Sequence, residues 1–451
     1  MKRLILSVTV LALAATACKK NANDKGFDPR SSFAGPYDDT IVLPLTVTSD
    51  LALTSNNLYV LNGKTYVTGG ATLFIDAGTR IEAVKKSTND SASALIVTRG
   101  SQIFAAGQST SPIVFTSNEA APASGDWGGI VLLGNAPLNR ADASIEGINL
   151  PSVPTGVDVF YGGGGAGQGD CGHSAGELSY VIIEYAGAVI APDNELNGLT
   201  CGGVGSGTVL DHIEVAYGND DAFEFFGGCV NAKHLLALAP DDDAFDFDFG
   251  YSGHIQYAVS VLDPNETYSA NPNGIESDNN GTGALDQPFT TPHISNMTVI
   301  GWETPITGTL AGAHFRRASL YQVRNSIFMG FPTGVRLQGP ALTDTTVANA
   351  FNFSHNIVHA FTTPLNPLGA PWGTGIFTST SANSNADIVL NSPFNLSGPD
   401  FRIVPGTNAK TLATSYTGLD GYPGFFDSTS YRGAFDVVAS GATNNWLAGW
   451  A

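Results

Sequence analysis

The sequence predicts an all-β protein wound as a parallel β-helix, a solenoid whose successive coils stack through parallel strands. Two near-copies in the middle of the chain support this prediction, DDAFEF at 220–225 and DDAFDF at 242–247. Self-similarity at a period in the low twenties is typical of solenoids, and the strict alternation of Phe223, Glu224 and Phe225 has the periodicity of a strand. The composition agrees, because 53 of the 451 residues are Gly and short apolar runs alternate with turn-forming residues.

The chain carries a formal net charge of −20, which argues against nucleic acid as a partner and against anionic membrane surfaces. The acidity is uneven, because Lys233 is the only Lys or Arg between Arg140 and Arg316. Composition leaves two interpretations open. The acids form either a shell exposed to solvent or a site for a divalent cation, since hard cations prefer several carboxylate oxygens.

Residues 1–17 predict a lipoprotein signal peptide, because a basic start precedes a short apolar run and small residues. ATAC at 15–18 resembles a bacterial lipoprotein box, which implies cleavage before Cys18 and lipidation of that residue; an ordinary cleaved signal is the alternative. Lys19 follows the cysteine, and by the same resemblance nothing retains the protein at the inner membrane. We therefore expect it at the outer membrane or cell surface, held by its lipid anchor alone. The polar stretch 18–40 predicts a flexible tether.

Strand patterns run from residue 41 to residue 375, which we assign to the β-helix. No segment alternates strands with helices, so a doubly wound α/β fold is not expected. The Gly- and Pro-rich stretch 136–169 predicts an inserted surface loop. The irregular segment 376–451 predicts a C-terminal cap or wrapping segment, in which Trp446 and Trp450 cover an open end of the solenoid.

Several long motifs in a fixed order resemble a family of bacterial surface lipoproteins known from Bacteroidetes-type genomes. The motifs are PIVFTS at 112–117, GDWGGIVLLGNAP at 125–137, LSYVIIEYAG at 178–187, NELNGLTCGGVGSGTVLDHIEVAYG at 194–218 and FEFFGG at 223–228. The resemblance implies a right-handed single-stranded β-helix of the pectin-lyase-like kind at the cell surface. It brings no established activity with it.

Cys171 and Cys201 are candidates for a disulfide, which an exported protein permits. They lie 30 residues apart, and a shift of 30 also superposes IEYA at 183–186 on IEVA at 213–216. Both sulfurs would then occupy matching positions of adjacent coils, within reach of a bridge. A pairing that involves Cys229, or free thiols, stays open. No C-x-x-C motif occurs, which argues against a cysteine-bound zinc.

The repeated acids predict a Ca²⁺ site. Equivalent residues of successive coils lie about 4.8 Å apart, so Glu224, Asp246 and Glu276 would form one outward column, with Asp248 and Asp278 beside it. Like charges that face each other destabilise a sheet, so such a column needs a cation, protonation or wide exposure. The candidate ligands are Asp220, Asp221, Glu224, Asp241, Asp242, Asp243, Asp246 and Asp248. The alternative is that Asp in a turn serves the hydrogen bonds of its own backbone.

His314, Arg316 and Arg317 form the only basic cluster after Arg140 and are the candidates for ligand contact. They would either hold a substrate carboxylate or pair with the acids. The paired Asp residues resemble those of polygalacturonases, but the His and Arg or Lys motifs that accompany the pair there are not found. Pectate lyases need calcium and a basic residue that takes a proton from the substrate. The acidic segment could supply calcium ligands, but Lys233 is its only Lys or Arg, so it offers almost no such base.

These observations favour a lipid-anchored surface protein, stabilised by Ca²⁺, that binds an extracellular glycan or partner protein. A polysaccharide lyase or glycoside hydrolase on the same face of the solenoid is the alternative, and only analogy of fold supports it.

Overall fold

A computed structural model describes residues 36–87, 91–191, 194–268, 271–339, 351–366, 377–381, 388–437 and 445–451. The signal peptide 1–17, the candidate lipidation site Cys18 and most of the tether 18–40 lie outside the described residues. Within the described part, no helix is long and apolar enough to cross a membrane.

Nearly all regular structure in the described chain is β-strand. The strands up to residue 184 are β1 (Thr40–Val42), β2 (Thr46–Val47), β3 (Leu51–Leu53), β4 (Leu58–Leu61), β5 (Lys64–Val67), β6 (Thr72–Ile75), β7 (Arg80–Ala83), β8 (Ala94–Val97), β9 (Gln102–Ala106), β10 (Ile113–Ser117), β11 (Ile130–Leu133), β12 (Ala143–Ser144), β13 (Phe160–Tyr161) and β14 (Gly176–Glu184). A short 3₁₀ turn spans Leu150–Ser152.

The later strands are β15 (Val189–Ala191), β16 (Asn194–Glu195), β17 (Leu199–Gly202), β18 (Val209–Ala216), β19 (Phe223–Phe226), β20 (Asn231–Leu238), β21 (Phe245–Asp248), β22 (His254–Val261), β23 (Glu276–Ser277), β24 (His293–Ile300), β25 (Ala311–Arg316), β26 (Tyr321–Arg324), β27 (Ile327–Gln338), β28 (Phe351–Asn366), β29 (Phe377–Ser381), β30 (Leu390–Ser392) and β31 (Asp400–Ile403). A short helix, α1, spans Asn408–Thr411.

Parallel pairing joins 25 of these strands into one continuous sheet that winds as a three-sided solenoid. Face A follows β1–β4–β7–β10 and continues through the second halves of β14, β18, β20, β22 and β24. Face B follows β2–β5–β8–β11–β17–β19–β21–β23–β25. Face C follows β3–β6–β9 and the first halves of the long strands. This confirms the predicted all-β fold class, with the architecture of a right-handed single-stranded parallel β-helix.

One residue in left-handed conformation joins face C to face A inside each long strand. Tyr180, His212, His234, Tyr257 and Asn296 have φ between 50° and 62° at this point of successive coils. The four aromatic rings among them stack as a ladder, with successive ring centroids 4.3, 4.2 and 5.1 Å apart. Non-glycine residues seldom adopt this conformation, so its repetition shows that the stacking outweighs the local backbone cost.

The interior of the solenoid is filled by apolar side chains in register. Phe223 stacks on Phe245 with ring centroids 5.2 Å apart, and Phe225 stacks on Phe247 at 5.4 Å. All four rings are fully buried. Burial of each ring is worth about 1.5–3 kcal/mol, so the two near-copies detected in the sequence contribute a stabilising aromatic stack to the core.

The segment 134–170 packs against the outer side of face B. Tyr161 in this segment is 1% exposed and lies 6.1 Å from the ring of Phe226. An ion pair of 2.6 Å between Asp142 in the segment and Arg99, in the turn after β8, also holds the segment against the solenoid. The stretch that the sequence marks as an inserted loop is therefore a cover over one face of the solenoid.

The disulfide joins Cys171 to Cys229, with a Cα–Cα distance of 5.6 Å, and the predicted Cys171–Cys201 bridge is wrong. The prediction used the wrong register. Val181 pairs with Ile213, a shift of 32 residues and not 30. Cys171 also precedes β14 and lies outside the coils, whereas Cys201 on β17 points into the core and is a buried free thiol.

The C-terminal segment wraps the side of the solenoid. Trp450 lies edge-on to Tyr180 and His212 at 5.7 and 5.8 Å, and Trp446 lies edge-on to His234 at 5.2 Å. The two tryptophans therefore cover the ladder between faces C and A and not an open end.

Candidate functional site

A column of acids follows the outer side of face B over three coils. Glu224 pairs in register with Asp246, and Asp246 pairs with Glu276. Buried core residues flank them, phenylalanines beside Glu224 and Asp246 and Ile275 before Glu276, so these side chains face outward. The predicted column is confirmed, and it continues into His314 and Arg336 on the next two coils.

A second column, in the turns between faces A and B, binds the backbone of the following coil. Asp221 Oδ1 accepts the N–H of Asp243 at 2.8 Å, and Asp243 Oδ1 accepts the N–H of Asn273 at 2.7 Å. Asn273 Oδ1 in turn accepts the N–H of Ala311 at 2.8 Å. Asp221 and Asp243 therefore perform the backbone role that turn acids often have.

Two groups of three acids meet within the described residues. Asp220, Asp221 and Asp242 each place a carboxylate oxygen within 4.8 Å of the others, and so do Asp221, Glu224 and Asp246. Asp221 belongs to both groups, so the five residues form one cluster, which we call the acidic cluster. The other predicted ligands belong to neither group: Asp241, Asp243 and Asp248.

Burial makes the charged form of these acids unfavourable. It raises the pKa of Asp220 to about 9, and the nearby Asp242 adds to the shift. The pKa values of Asp221 and Glu224 also lie well above their ordinary range, because of burial and then of Asp220 and Asp246 respectively. Near neutral pH the cluster therefore retains protons unless a cation takes their place.

Two buried oxygen atoms at the acidic cluster have no hydrogen-bond partner among the described residues, Oδ1 of Asp246 and Oδ1 of Asn197. Asn197 is 1% exposed, and its Nδ2 donates to the carboxylate of Glu224. Buried polar oxygens in proteins are nearly always bonded. Both atoms are therefore available as ligands for a hard cation.

Arg316 and Arg317 neutralise the acids one coil beyond the cluster. Arg316 Nε donates to Asp278 Oδ1 at 2.8 Å, its other nitrogen pairs with Glu276, and Arg317 donates to Asp278 at 2.6 Å. Burial disfavours the charged guanidinium, yet Glu276 and Asp278 raise the pKa of Arg316 above its ordinary value. The two arginines are partners of the acids, and Arg317 keeps 43% of its side chain exposed.

His314 lies between the basic and acidic parts of the column. Its Nε2 is 3.0 Å from Gln338 Oε1, and its Nδ1 is 3.5 Å from Glu276. Burial and Arg336 lower the pKa of His314 to about 4, so the ring is neutral near pH 7.

Sequence reasoning missed Glu146 and Glu195. Glu146 belongs to the cover 134–170, and Glu195 belongs to the hairpin β15–β16. Burial and the charge of Glu195 raise the pKa of Glu146 to about 7, and Glu146 contributes to the raised pKa of Glu224. Neither residue lies in a repeat, so no sequence pattern places it at the site.

Lys233, the only Lys or Arg between Arg140 and Arg316, does not contact the acidic cluster. It lies on face C, where its Nζ contacts Asp427 of the C-terminal segment at 2.6 Å and the ring of Phe425 at 5.0 Å.

The fold and this cluster define a parallel β-helix protein with a buried acidic column on one outer face. Residues 45–381 match the model of the pectate-lyase-like β-helix domain, and the chain belongs to that family. No curated protein matches the chain.

Proposed function

We propose that the mature protein is anchored to the outer membrane through lipid on Cys18 and binds an extracellular glycan on the part of face B that the cover 134–170 leaves exposed, near the side chain of Arg317. In this proposal Ca²⁺ occupies the acidic cluster. The observation that supports it most directly is the pair of unpartnered buried oxygens, Asp246 Oδ1 and Asn197 Oδ1, beside five carboxylates.

The donor set suits calcium. Ca²⁺ takes six to eight oxygen ligands at about 2.3–2.6 Å, and the cluster offers carboxylates from two coils together with a side-chain amide. No nitrogen or sulfur ligand belongs to either acid group. A bound Ca²⁺ would hold neighbouring coils together and supply positive charge for the hydroxyl or carboxylate oxygens of a sugar.

Arg316 and Arg317 supply a second contact for an anionic sugar. They lie two coils beyond the cluster, and Arg317 is the more exposed of the two. Because both side chains already pair with Glu276 or Asp278, a sugar carboxylate would share them with these acids. A guanidinium whose pKa is raised in this way stays charged, which makes Arg316 a poor proton acceptor and favours binding over lyase chemistry.

The test is a panel of neutral and anionic polysaccharides, presented to the mature chain carrying Cys18→Ala, with Ca²⁺ or with chelator. We expect Ca²⁺-dependent retention on at least one glycan, loss of retention in Asp246→Asn, and full retention in the control Glu119→Gln, which lies outside the cluster. The same samples are assayed for unsaturated products and reducing ends. Release of either would assign the lyase or hydrolase function instead. Retention on no glycan, together with a stable complex with another surface protein, would contradict the glycan and assign a protein partner.

A further inference from the structure

We propose that His254, His293 and Asp420 form a binding site for a transition metal ion, best suited to Zn²⁺, that joins the C-terminal segment to face C. His254 and His293 are paired in register on successive coils, and Asp420 comes from the segment that wraps the solenoid. One ligand atom from each of the three residues lies within 4.8 Å of the other two. This site is on a different face from the acidic cluster and does not depend on the function proposed for that cluster.

The tautomer of His254 is fixed by its neighbour. Asn231 Oδ1 accepts the backbone N–H of His254 at 2.9 Å, which identifies this atom as the oxygen of the amide. The same oxygen lies 2.7 Å from His254 Nδ1, so Nδ1 carries a proton and donates it to Asn231. A histidine that binds a metal usually donates its other ring N–H to a fixed acceptor in this way.

The opposite nitrogen of His254 then faces another acceptor. Its Nε2 lies 3.3 Å from Asp420 Oδ2, longer than a charge-assisted hydrogen bond of about 2.7–2.9 Å. A lone pair that faces a carboxylate oxygen is repelled unless a proton or a metal ion lies between them.

His293 completes the set. Its Nε2 lies 3.9 Å from the same Asp420 oxygen. Its ring is buried beside that of His254, with ring centroids 5.1 Å apart. Two ligands bound at about 2.0–2.1 Å to a tetrahedral Zn²⁺ lie about 3.3 Å apart. The distance of 3.3 Å between His254 Nε2 and Asp420 Oδ2 matches this value. The Asp420 side chain is 65% exposed and can rotate to shorten the distance of 3.9 Å to His293 Nε2.

A comparable trio elsewhere in the chain shows the contrast. Asp211 lies near His212 and His234, and the His234 Nδ1 is 2.7 Å from Asp211 Oδ1, a normal hydrogen bond. The two imidazole rings stack at 4.2 Å within the ladder. His212 Nδ1 lies 3.1 Å from the same Asp211 oxygen, so Asp211 faces a ring nitrogen on both sides, and this trio serves as a matched control.

The site also has a structural consequence. Gly421 lies against the ring of His254, where an added Cβ would be 2.6 Å from ring atoms, and Phe425 packs 5.6 Å from the same ring. A metal bound through Asp420 would therefore fix the segment around Gly421 and Phe425 to the coils.

The test measures Zn²⁺ binding by calorimetry in the mature chain, stripped of metal and then saturated with Ca²⁺ to occupy other oxygen sites. We expect one Zn²⁺ per chain and loss of affinity by about tenfold or more in Asp420→Asn and in Asn231→Ala. His234→Gln should bind as the unaltered chain does. Asp420 is exposed, so its substitution should leave the fold intact, which circular dichroism checks.

The spectrum of Co²⁺ as a substitute ion gives a second readout, because four-coordinate nitrogen-containing sites absorb more strongly in the visible than six-coordinate oxygen sites. A strong Co²⁺ spectrum that is lost in Asp420→Asn supports the proposal. Absence of Zn²⁺ binding, or binding unchanged by Asp420→Asn and by His254→Gln, would overturn it.

Discussion

Asp221 Oδ1 accepts a hydrogen bond from the backbone N–H of Asp243 at 2.8 Å, and the two residues occupy equivalent turn positions in neighbouring coils. The same Asp221 belongs to both groups of acids in the acidic cluster. One carboxylate therefore closes the turn of the next coil and also takes part in the candidate cation site. Its two roles can be separated, because an amide oxygen accepts a hydrogen bond but carries no charge.

Asp221→Ala should lower the free energy of unfolding by about 1–3 kcal/mol, because it leaves the buried Asp243 N–H without an acceptor. Asp221→Asn keeps an acceptor oxygen and replaces a carboxyl group that is already neutral in metal-free protein, so its cost there should be less than about 1 kcal/mol. Denaturant unfolding measures both, with the exposed Glu119→Ala as a control. Equal losses in the two variants would show that the hydrogen bond is not what Asp221 contributes.

The acidic column could be predicted from sequence because the repeat shows two things. It shows which side chains alternate between the inside and the outside of the strand, and which residues of the two coils are equivalent. Phe223 and Phe225 bracket Glu224, and their near-copies bracket Asp246, so inward and outward sides are fixed once the two copies are aligned. The register that places Phe223 on Phe245 and Phe225 on Phe247 also aligns Glu224 with Asp246.

The disulfide could not be predicted in the same way. The register that matters is set by Val181 and Ile213, and the similarity of IEYA and IEVA suggests a shift two residues too short. Cys171 also lies outside the coils, where no periodicity fixes its position. Residues brought together by packing of a separate segment, such as Glu146 against the acidic cluster or Asp420 against His254, carry no sequence pattern at all.

Metal-free protein should lose stability as pH rises. Asp220 has an ordinary pKa of 3.8 and a pKa of about 9 in the folded chain. Between these values the folded chain holds more protons than the unfolded chain, so the free energy of unfolding falls with increasing pH. The contribution is fully present below about pH 4 and lost above about pH 9. Asp220→Asn should flatten this dependence in unfolding curves recorded with chelator, and an unchanged slope would contradict the assignment.

Calcium should reverse the destabilisation near neutral pH. Binding to the folded state alone adds about 2.7 kcal/mol at a hundredfold excess over Kd. Chelation should therefore lower the melting temperature, and millimolar Ca²⁺ should restore it. Asp242→Asn combined with Asp246→Asn should abolish the difference, because it removes one acid from each group of the cluster. At low ionic strength the repulsion between the acids is least screened. A melting curve that chelator does not change under these conditions would contradict Ca²⁺ binding by the acidic cluster.

Lipid anchoring is tested by Cys18→Ala in cells. If the thiol carries lipid, the variant should move from the membrane fraction to the soluble fraction, and Lys19→Ala should remain in the membrane. Fractionation after a high-salt wash separates anchoring from charge attraction. Retention of Cys18→Ala in the washed membranes would contradict the anchor.

The Cys171–Cys229 bridge should be recovered by peptide mapping without reduction as one linked pair, with Cys201 alkylated only after unfolding. The bridge closes a separation of 58 residues, and the chain-entropy model assigns such a loop about 4 kcal/mol. Reduction should therefore lower the unfolding midpoint and free the end of the cover 134–170 near Cys171. Cys201→Ala should show the same difference between oxidised and reduced forms, because this thiol takes no part in the bridge. A peptide linking Cys171 to Cys201 in the native protein would refute the assignment.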